Sequence, residues 1–226
     1  MTDAQDAAGS VDSAPRLKIT EIFYSLQGES RSVGWPTSFV RLTGCPLRCG
    51  YCDTEYAFTG GDWMTLDDVI ERVASYPARH VTVTGGEPLA QKQCLPLLSR
   101  LADGGYHVSL ETSGALDVSA VDPRVIKVMD LKTPASGEVA RNRYENLDHL
   151  SMRDQVKFVI CNRQDYEWAR SLMAEQGLAS RCEVLLSPAH GELQPADLAA
   201  WMLADGLNAR FQLQLHKLLW GEEPGR

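Results

Sequence analysis

Three of the six cysteines crowd into one short stretch, Cys45-Pro-Leu-Arg-Cys49-Gly-Tyr-Cys52. On a loop containing Pro46 and Gly50, thiolates at this spacing can converge on one metal centre. A cubane iron–sulfur cluster takes four ligands, and cysteine usually supplies all of them. Only three are local here, which leaves one iron open for chemistry, as a catalytic zinc keeps an open position. A zinc site completed by a distant His or Cys is the other metal reading. Against it, Cys-x3-Cys-x2-Cys is not a paired-knuckle spacing, and no second cysteine pair follows. Cys94, Cys161 and Cys182 stand alone in apolar surroundings and read as small buried hydrophobes.

Four further polar segments sit where ligands usually gather. Thr84-Gly-Gly-Glu-Pro88 follows a predicted strand and precedes a helix, and its two glycines let the backbone approach a ligand closely. Glu111-Thr-Ser-Gly114, Asp130-Leu-Lys-Thr-Pro134 and Ser187-Pro-Ala-His190 each end a predicted strand in the same way.

The elements that must carry these segments follow from apolar patterning between turn signals. Strands are expected at Leu17–Ser25, Ser38–Thr43, His80–Thr84, His107–Glu111, Val125–Leu131, Gln155–Cys161, Cys182–Leu186 and Arg210–Leu215. Helices are expected at Leu66–Tyr76, Leu89–Ala102, Tyr166–Gln176 and Ala196–Ala204. Thr65 with Asp68 resembles a capping box, and Pro88 and Pro195 suit first helical turns. Gly104, Gly177 and Gly206 stand where left-handed residues close helices. Strand–helix alternation implies a parallel sheet, and five or six repeats are too few for a full eight-fold barrel. The fold class expected is α/β, a partial (β/α)6-like barrel with mostly parallel strands, whose ligands lie beyond the carboxyl ends of the strands.

Composition narrows the function classes. The 226 residues suit a single catalytic domain over 15–226, preceded by a small, polar, acidic leader over 1–14 that reads as disordered. No apolar run approaches bilayer length and no signal peptide opens the chain, so a cytoplasmic protein with no membrane contact is expected. The net charge of −8, without a basic cluster, favours a small-molecule substrate over nucleic acid.

With these residues in view, Cys-x3-Cys-x2-Cys with Tyr51 before its last cysteine resembles the radical S-adenosylmethionine superfamily. Thr84-Gly-Gly-Glu-Pro88 is similar to the segment of that superfamily that binds the cofactor's methionine amine. Glu21-Ile-Phe-Tyr-Ser-Leu-Gln-Gly-Glu29 resembles the opening of the 7-carboxy-7-deazaguanine synthase family within it. So do Phe39-Val-Arg-Leu-Thr-Gly-Cys45, Cys52-Asp-Thr54 and Leu215-His-Lys217, and the likeness runs from about Leu17 to Lys217.

The resemblance implies a [4Fe–4S] cluster on Cys45, Cys49 and Cys52, with S-adenosylmethionine completing it. It implies Mg²⁺ on Thr54, and a carbon–nitrogen lyase that contracts 6-carboxy-5,6,7,8-tetrahydropterin to 7-carboxy-7-deazaguanine, as in queuosine biosynthesis. Cofactor contacts would come from Tyr51, Cys52, Asp53, Gly86, Glu111, Lys132 and Ser187. Pterin contacts would come from Leu26, Gln27, Gly28, Arg41 and Thr84, with the Arg41 fork suited to a carboxylate. The radical comes from the cofactor, so no side chain is assigned as catalytic. An external electron donor such as flavodoxin or ferredoxin, and a homodimer, complete the implied set. A glycyl-radical-activating enzyme shares the cysteine spacing, and a non-catalytic iron–sulfur or zinc protein is the reading from another class. The leader before Leu17 is longer than the family needs, and the tail beyond Lys217 differs from the short terminus of some members.

Overall fold

A computed structural model describes residues 14–221, 223 and 225; apart from Ala14, the leader expected over 1–14 lies outside the described residues. Nine strands form one sheet in the order β3-β1-β2-β4-β5-β6-β7-β8-β9, with β1 Arg16–Leu26, β2 Pro36–Leu42, β3 Asp62–Thr65, β4 His80–Gly85 and β5 His107–Thr112. The rest are β6 Ile126–Asp130, β7 Gln155–Ile160, β8 Glu183–Pro188 and β9 Arg210–Phe211. From β2 to β9 every pairing is parallel, while β1 runs antiparallel to both β2 and β3. The sheet is open, which agrees with the partial barrel expected.

Alternation along each strand divides a greasy outer face from a polar inner one. Val40 and Leu42, Val81 and Val83, Val108 and Leu110, and Val156 and Phe158 pack outward into a single core. There they meet Leu66, Val69 and Val73 of α1 (Leu66–Ala74), and Leu97, Leu98 and Leu101 of α2 (Cys94–Asp103). Tyr166, Ala169 and Leu172 of α3 (Arg163–Glu175) and Leu198 and Met202 of α4 (Pro195–Ala204) complete it. Each such side chain stabilises the fold by about 1.5–3 kcal/mol on burial. The positions between them, among them Arg41, Thr84, Glu111, Asp130, Lys157 and Ser187, line an inner cavity.

Several boundaries differ from the expectation, each for a local reason. The capping box forms at α1, where Asp68 N–H donates to Thr65 Oγ1 and the Asp68 carboxylate accepts from Thr65 N–H. The helix expected from Leu89 starts at Cys94, because Pro88–Ala90 makes only one 3-10 turn before Gln91 turns extended. Gln91 is held there by reciprocal bonds with the Lys18 backbone. Gly104 is right-handed with φ −71°, and Gly105 carries the positive φ of +81° instead. The strand expected over Arg210–Leu215 lasts two residues, and Leu215 begins α5 (Leu215–Trp220). The short edge strand β3 was not foreseen; it pairs with β1 from Arg16↔Thr65 to Ile19↔Asp62. Among the described residues, 3-10 turns alone join β6 to β7, and no regular helix joins β5 to β6. Among the described residues no helix is long and apolar enough to cross a membrane.

The link from β1 to β2 closes the lower end of the half-barrel. Gln27 N–H donates to Trp35 O and Gly34 N–H to Gln27 O, which pinches the loop's ends together. Ser30, at φ 65°, donates its N–H to Gln212 Oε1 (2.8 Å) and accepts from Arg210 Nη2 (2.7 Å). Arg31 N–H donates to Gln155 Oε1 (2.7 Å). Partners thus come from the first residues of β7 and β9 and from Gln212 beyond β9, so the loop spans the interior and its Leu26–Glu29 stretch becomes the cavity floor.

Candidate active site

The cysteine loop leaves the carboxyl end of β2 and is fixed at every turn. Gly44 (φ +99°) donates its N–H to Ala57 O and accepts from Glu87 N–H. Arg48 Nη1 donates to the carbonyls of Cys45 (2.8 Å) and Leu47, its N–H reaches Glu138 Oε1, and its guanidinium lies 4.2 Å from the Phe58 ring centre. Gly50 N–H donates to Ser136 O, tying the loop to the segment after β6. All three thiols are half-buried and unpaired by disulfide. Burial raises each of them, Cys49 to about 11, so loading with metal must displace thiol protons.

Among the described residues no three His, Cys, Asp or Glu side chains converge tightly enough for a single ion. Cys45, Cys49 and Cys52 all line one cavity, and a cubane takes its cysteine thiolates at separate corners. The loop after β4 presses against this cradle: a Cβ on Gly86 would stand 2.4 Å from Gly44 O and 2.6 Å from Cys45 Cβ. Fully buried Glu87 then binds the β4 and β5 loops together. Its carboxylate accepts from Thr112 Oγ1 (2.9 Å), Ser113 N–H (2.7 Å) and Leu89 N–H (3.0 Å). Lys132 is pinned through its backbone by Asn142, which exchanges two 2.8 Å bonds with it. Its ammonium pairs with Asp130 at 3.1 Å and lies 5.7 Å from the Tyr51 ring centre. Burial is the largest single influence and opposes that charge, but Asp130 and Cys49 together raise the Lys132 pKa.

The far side of the cavity is a second polar cluster. Glu111 accepts from Gln27 Nε2 (3.2 Å) and Thr84 Oγ1 (3.0 Å), and burial with the nearby Glu29 raises its pKa. Gln27 also donates to Thr82 and accepts from Glu29 N–H, so its amide serves to brace the floor. Lys157 pairs with Glu29 at 2.5 Å and Asp130 at 3.5 Å. Burial opposes both charges, but the pairing wins: Glu29 is lowered and Lys157 is raised well above its usual value. Gln214 Nε2 bridges Glu29 (2.8 Å) and Asp53 (3.2 Å).

Beside that bridge, Thr54 Oγ1 donates to Asp53 Oδ1 at 2.8 Å. Burial would raise Asp53, yet this bond, Lys217 and Gln214 hold it at about 2. A hydroxyl beside a persistent carboxylate is the hard oxygen set that Mg²⁺ prefers. Arg41 donates Nε to Glu21 Oε1 at 2.7 Å, and its terminal nitrogens have no other partner among the described residues. Finally α5 crosses the floor: Leu215 N–H donates to Gly28 O, and a Cβ on Gly28 would strike His216 Nδ1 at 2.1 Å. Gly221, Glu223 and Gly225 of the tail also line the cavity.

Every site residue expected from the sequence therefore lines one cavity of about 670 Å³ at the carboxyl ends of the strands. The structure sets Glu111 beside Gln27 and Thr84, two of the residues expected at the pterin. Sequence reasoning missed Glu21, Glu29, Tyr56, Lys157, Gln214 and His216. One signal was present: His107, Ser109 and Glu111, and Gln155 and Lys157, alternate along strands and mark their inner face as polar.

Residues 39–131 match the Radical SAM superfamily. The chain is 46% identical over 210 residues to a 7-carboxy-7-deazaguanine synthase of Chlorobaculum tepidum, covering 92% of this chain and 96% of that one. It is 45% identical to one from Koribacter versatilis, covering 92% and 98%. A crystal structure of QueE from Escherichia coli superposes with a TM-score of 0.73 at 25% identity, over 89% of this chain and 95% of that one. At such identity over nearly the full length, with three cysteines and a cofactor-type glycine pair on one cavity, the chain belongs to the 7-carboxy-7-deazaguanine synthase family of radical S-adenosylmethionine enzymes.

Proposed function

We propose that this chain converts 6-carboxy-5,6,7,8-tetrahydropterin to 7-carboxy-7-deazaguanine with loss of ammonia, as a carbon–nitrogen lyase of 7-deazapurine and queuosine biosynthesis. The observation that carries the reading is the pair of Arg41 terminal nitrogens, which have no hydrogen-bond or ion-pair partner among the described residues, on the same cavity as the three thiols. A guanidinium anchored at Nε by Glu21, with its two terminal nitrogens left for a ligand, suits a substrate carboxylate.

The family brings a [4Fe–4S] cluster, S-adenosylmethionine and Mg²⁺. When bound, cluster and cofactor would supply the radical chemistry that removes hydrogen from the pterin. Cys45, Cys49 and Cys52 hold the cluster; Tyr51, Cys52, Asp53, Gly86, Lys132 and Ser187 hold S-adenosylmethionine. Thr54, seconded by Asp53, offers oxygen to Mg²⁺. Leu26 and Gly28 present backbone groups to the pterin ring, with Thr84 and Glu111 on its other side. Arg41 takes the carboxylate, and α5 with the tail limits water. The floor set by Gln27, Glu29 and Lys157 orients the ring without reacting.

Residues 15–226 act as one catalytic domain behind the leader. An external one-electron donor of flavodoxin or ferredoxin type supplies reduction, and the enzyme works in the cytoplasm as a homodimer. One anaerobic incubation tests the reaction: pterin, S-adenosylmethionine, Mg²⁺ and reductant, read by mass spectrometry. The expected result is 7-carboxy-7-deazaguanine with ammonia. Reductive cleavage of S-adenosylmethionine without that product points to another substrate.

A further inference from the structure

The geometry assigns Glu21 as a positioning residue that aims Arg41 and locks it to the loop carrying Thr54, so that the site selects a carboxylated pterin. This rests on the reading of Arg41 as the carboxylate ligand.

The arrangement begins with a bulge in β1. Ile19 pairs with Leu42, but Glu21 pairs with Arg41, so Thr20 is an extra residue between two register positions. A bulge shifts the phase of a strand and re-aims the side chains beyond it. Leu17 and Ile19 before it therefore face the helical core, whereas Phe23, two residues beyond Glu21, faces the cavity. Without the extra residue, Arg41 would face Thr20 and Glu21 would face Val40. The bulge is itself supported: Thr20 Oγ1 lies 2.7 Å from Thr43 Oγ1. Gly61 packs so closely that a Cβ there would come within 2.2 Å of Thr43 Oγ1 and 2.7 Å of Ile19 O.

Once re-aimed, Glu21 makes two bonds with a single oxygen. Oε1 accepts from Arg41 Nε at 2.7 Å and from Tyr56 O–H at 2.8 Å. The Arg41 guanidinium carbon lies 5.9 Å from the Phe23 ring centre and 5.8 Å from that of Tyr56. Nε is thus anchored and the guanidinium is flanked by two rings, which leaves the terminal nitrogens for a ligand. Tyr56 belongs to the 3-10 turn Glu55–Ala57 directly after Thr54. Through one carboxylate oxygen, the carboxylate-binding arginine and the Mg²⁺-binding segment are held at a fixed separation. Glu21 touches neither substrate nor cofactor in this assignment.

The test uses reconstituted holoenzyme carrying Glu21→Ala, Glu21→Gln, Arg41→Ala or the Glu21→Ala/Arg41→Ala pair, each checked for iron content and S-adenosylmethionine binding. Dissociation constants are measured for the carboxylated pterin and for tetrahydropterin lacking the carboxylate. Glu21→Ala should weaken the carboxylated ligand by about tenfold and the other by less than about twofold. Glu21→Gln keeps an acceptor for Nε and should fall between. If Glu21 acts through Arg41, the double variant should bind no more weakly than Arg41→Ala, because the two residues act as one unit. Equal weakening of both ligands by Glu21→Ala, or multiplying losses in the double variant, overturns the assignment while leaving Arg41 in its role. Arg41→Ala that still discriminates the two ligands instead removes the carboxylate reading of Arg41, and this inference with it.

Discussion

Adding one methyl group at Gly86 tests whether close backbone approach holds the two cofactor loops in register. In Gly86→Ala the new Cβ would stand 2.4 Å from Gly44 O and 2.6 Å from Cys45 Cβ, against a practical floor of 3.0 Å. The loops must part by about 0.6 Å or more, and neither is free to give, since overpacked sites are relieved only by backbone shifts. Glu87 N–H donates to Gly44 O at 2.8 Å, Gly86 N–H to Leu42 O at 3.2 Å, and Gly44 N–H to Ala57 O at 2.7 Å. Overpacking of this kind costs about 1–3 kcal/mol. For a chain of this size that is about 2–12 °C in melting temperature. Misplacing a positioned group by an ångström can cost about a hundredfold, so S-adenosylmethionine affinity should fall by about tenfold or more. The assay is anaerobic calorimetric titration of the reconstituted protein with S-adenosylmethionine, alongside iron analysis and thermal denaturation. Gly60→Ala is the control: its φ of +79° strains a side chain, but nothing lies within 4 Å of the new Cβ. It should lose stability without losing affinity. Wild-type affinity and full iron in Gly86→Ala would refute the reasoning.

Other consequences are as direct. Replacing Cys45, Cys49 or Cys52 with Ala should remove cluster and activity, and the same change at Cys94, Cys161 or Cys182 should spare both; full iron in Cys49→Ala contradicts the assignment. Thr54→Ala should raise the Mg²⁺ concentration needed for half-maximal rate while leaving iron content and S-adenosylmethionine binding nearly intact. An unchanged Mg²⁺ response would remove Thr54 from the site. Glu29→Gln should be destabilised by about 3–5 kcal/mol at neutral pH, because it leaves the buried Lys157 without its closest partner. The folded pKa of Glu29 is depressed below 4.5, so its contribution is full above that value and is lost as pH falls through the folded value. The stability gap between wild type and Glu29→Gln should therefore shrink in acid denaturation series below about pH 4.5, and a constant gap would show that the pairing is not its source.

How much of this was legible in the sequence depended on how local the cause was. The cysteine triplet, the Gly-Gly-Glu-Pro turn and the Thr65–Asp68 cap are local and were readable. So was Pro195 at the start of α4. The Thr20 bulge was not, because period-2 patterning reads Leu17–Ser25 as one continuous strand, and only pairing with β2 exposes the extra residue. The edge strand β3 hid in a stretch of four residues, Asp62-Trp63-Met64-Thr65, whose partner, β1, lies about 45 positions earlier. The floor of the site was least visible. Glu29 meets Lys157 across 128 positions, and Ser30 meets Gln212 across 182. Such contacts exist only once the sheet has curled. The site's members could be named from motifs, whereas the groups that aim them depended on tertiary pairing.

The proposed reaction requires that a radical formed in this cavity take hydrogen from C6 of the carboxylated pterin. The most direct measurement supplies the pterin with deuterium at C6, runs many anaerobic turnovers, and examines recovered S-adenosylmethionine by mass spectrometry. Deuterium should appear in the cofactor, which would show both direct transfer and reuse. Cofactor that stays unlabelled while product accumulates, against a control for exchange with solvent, would contradict the claim.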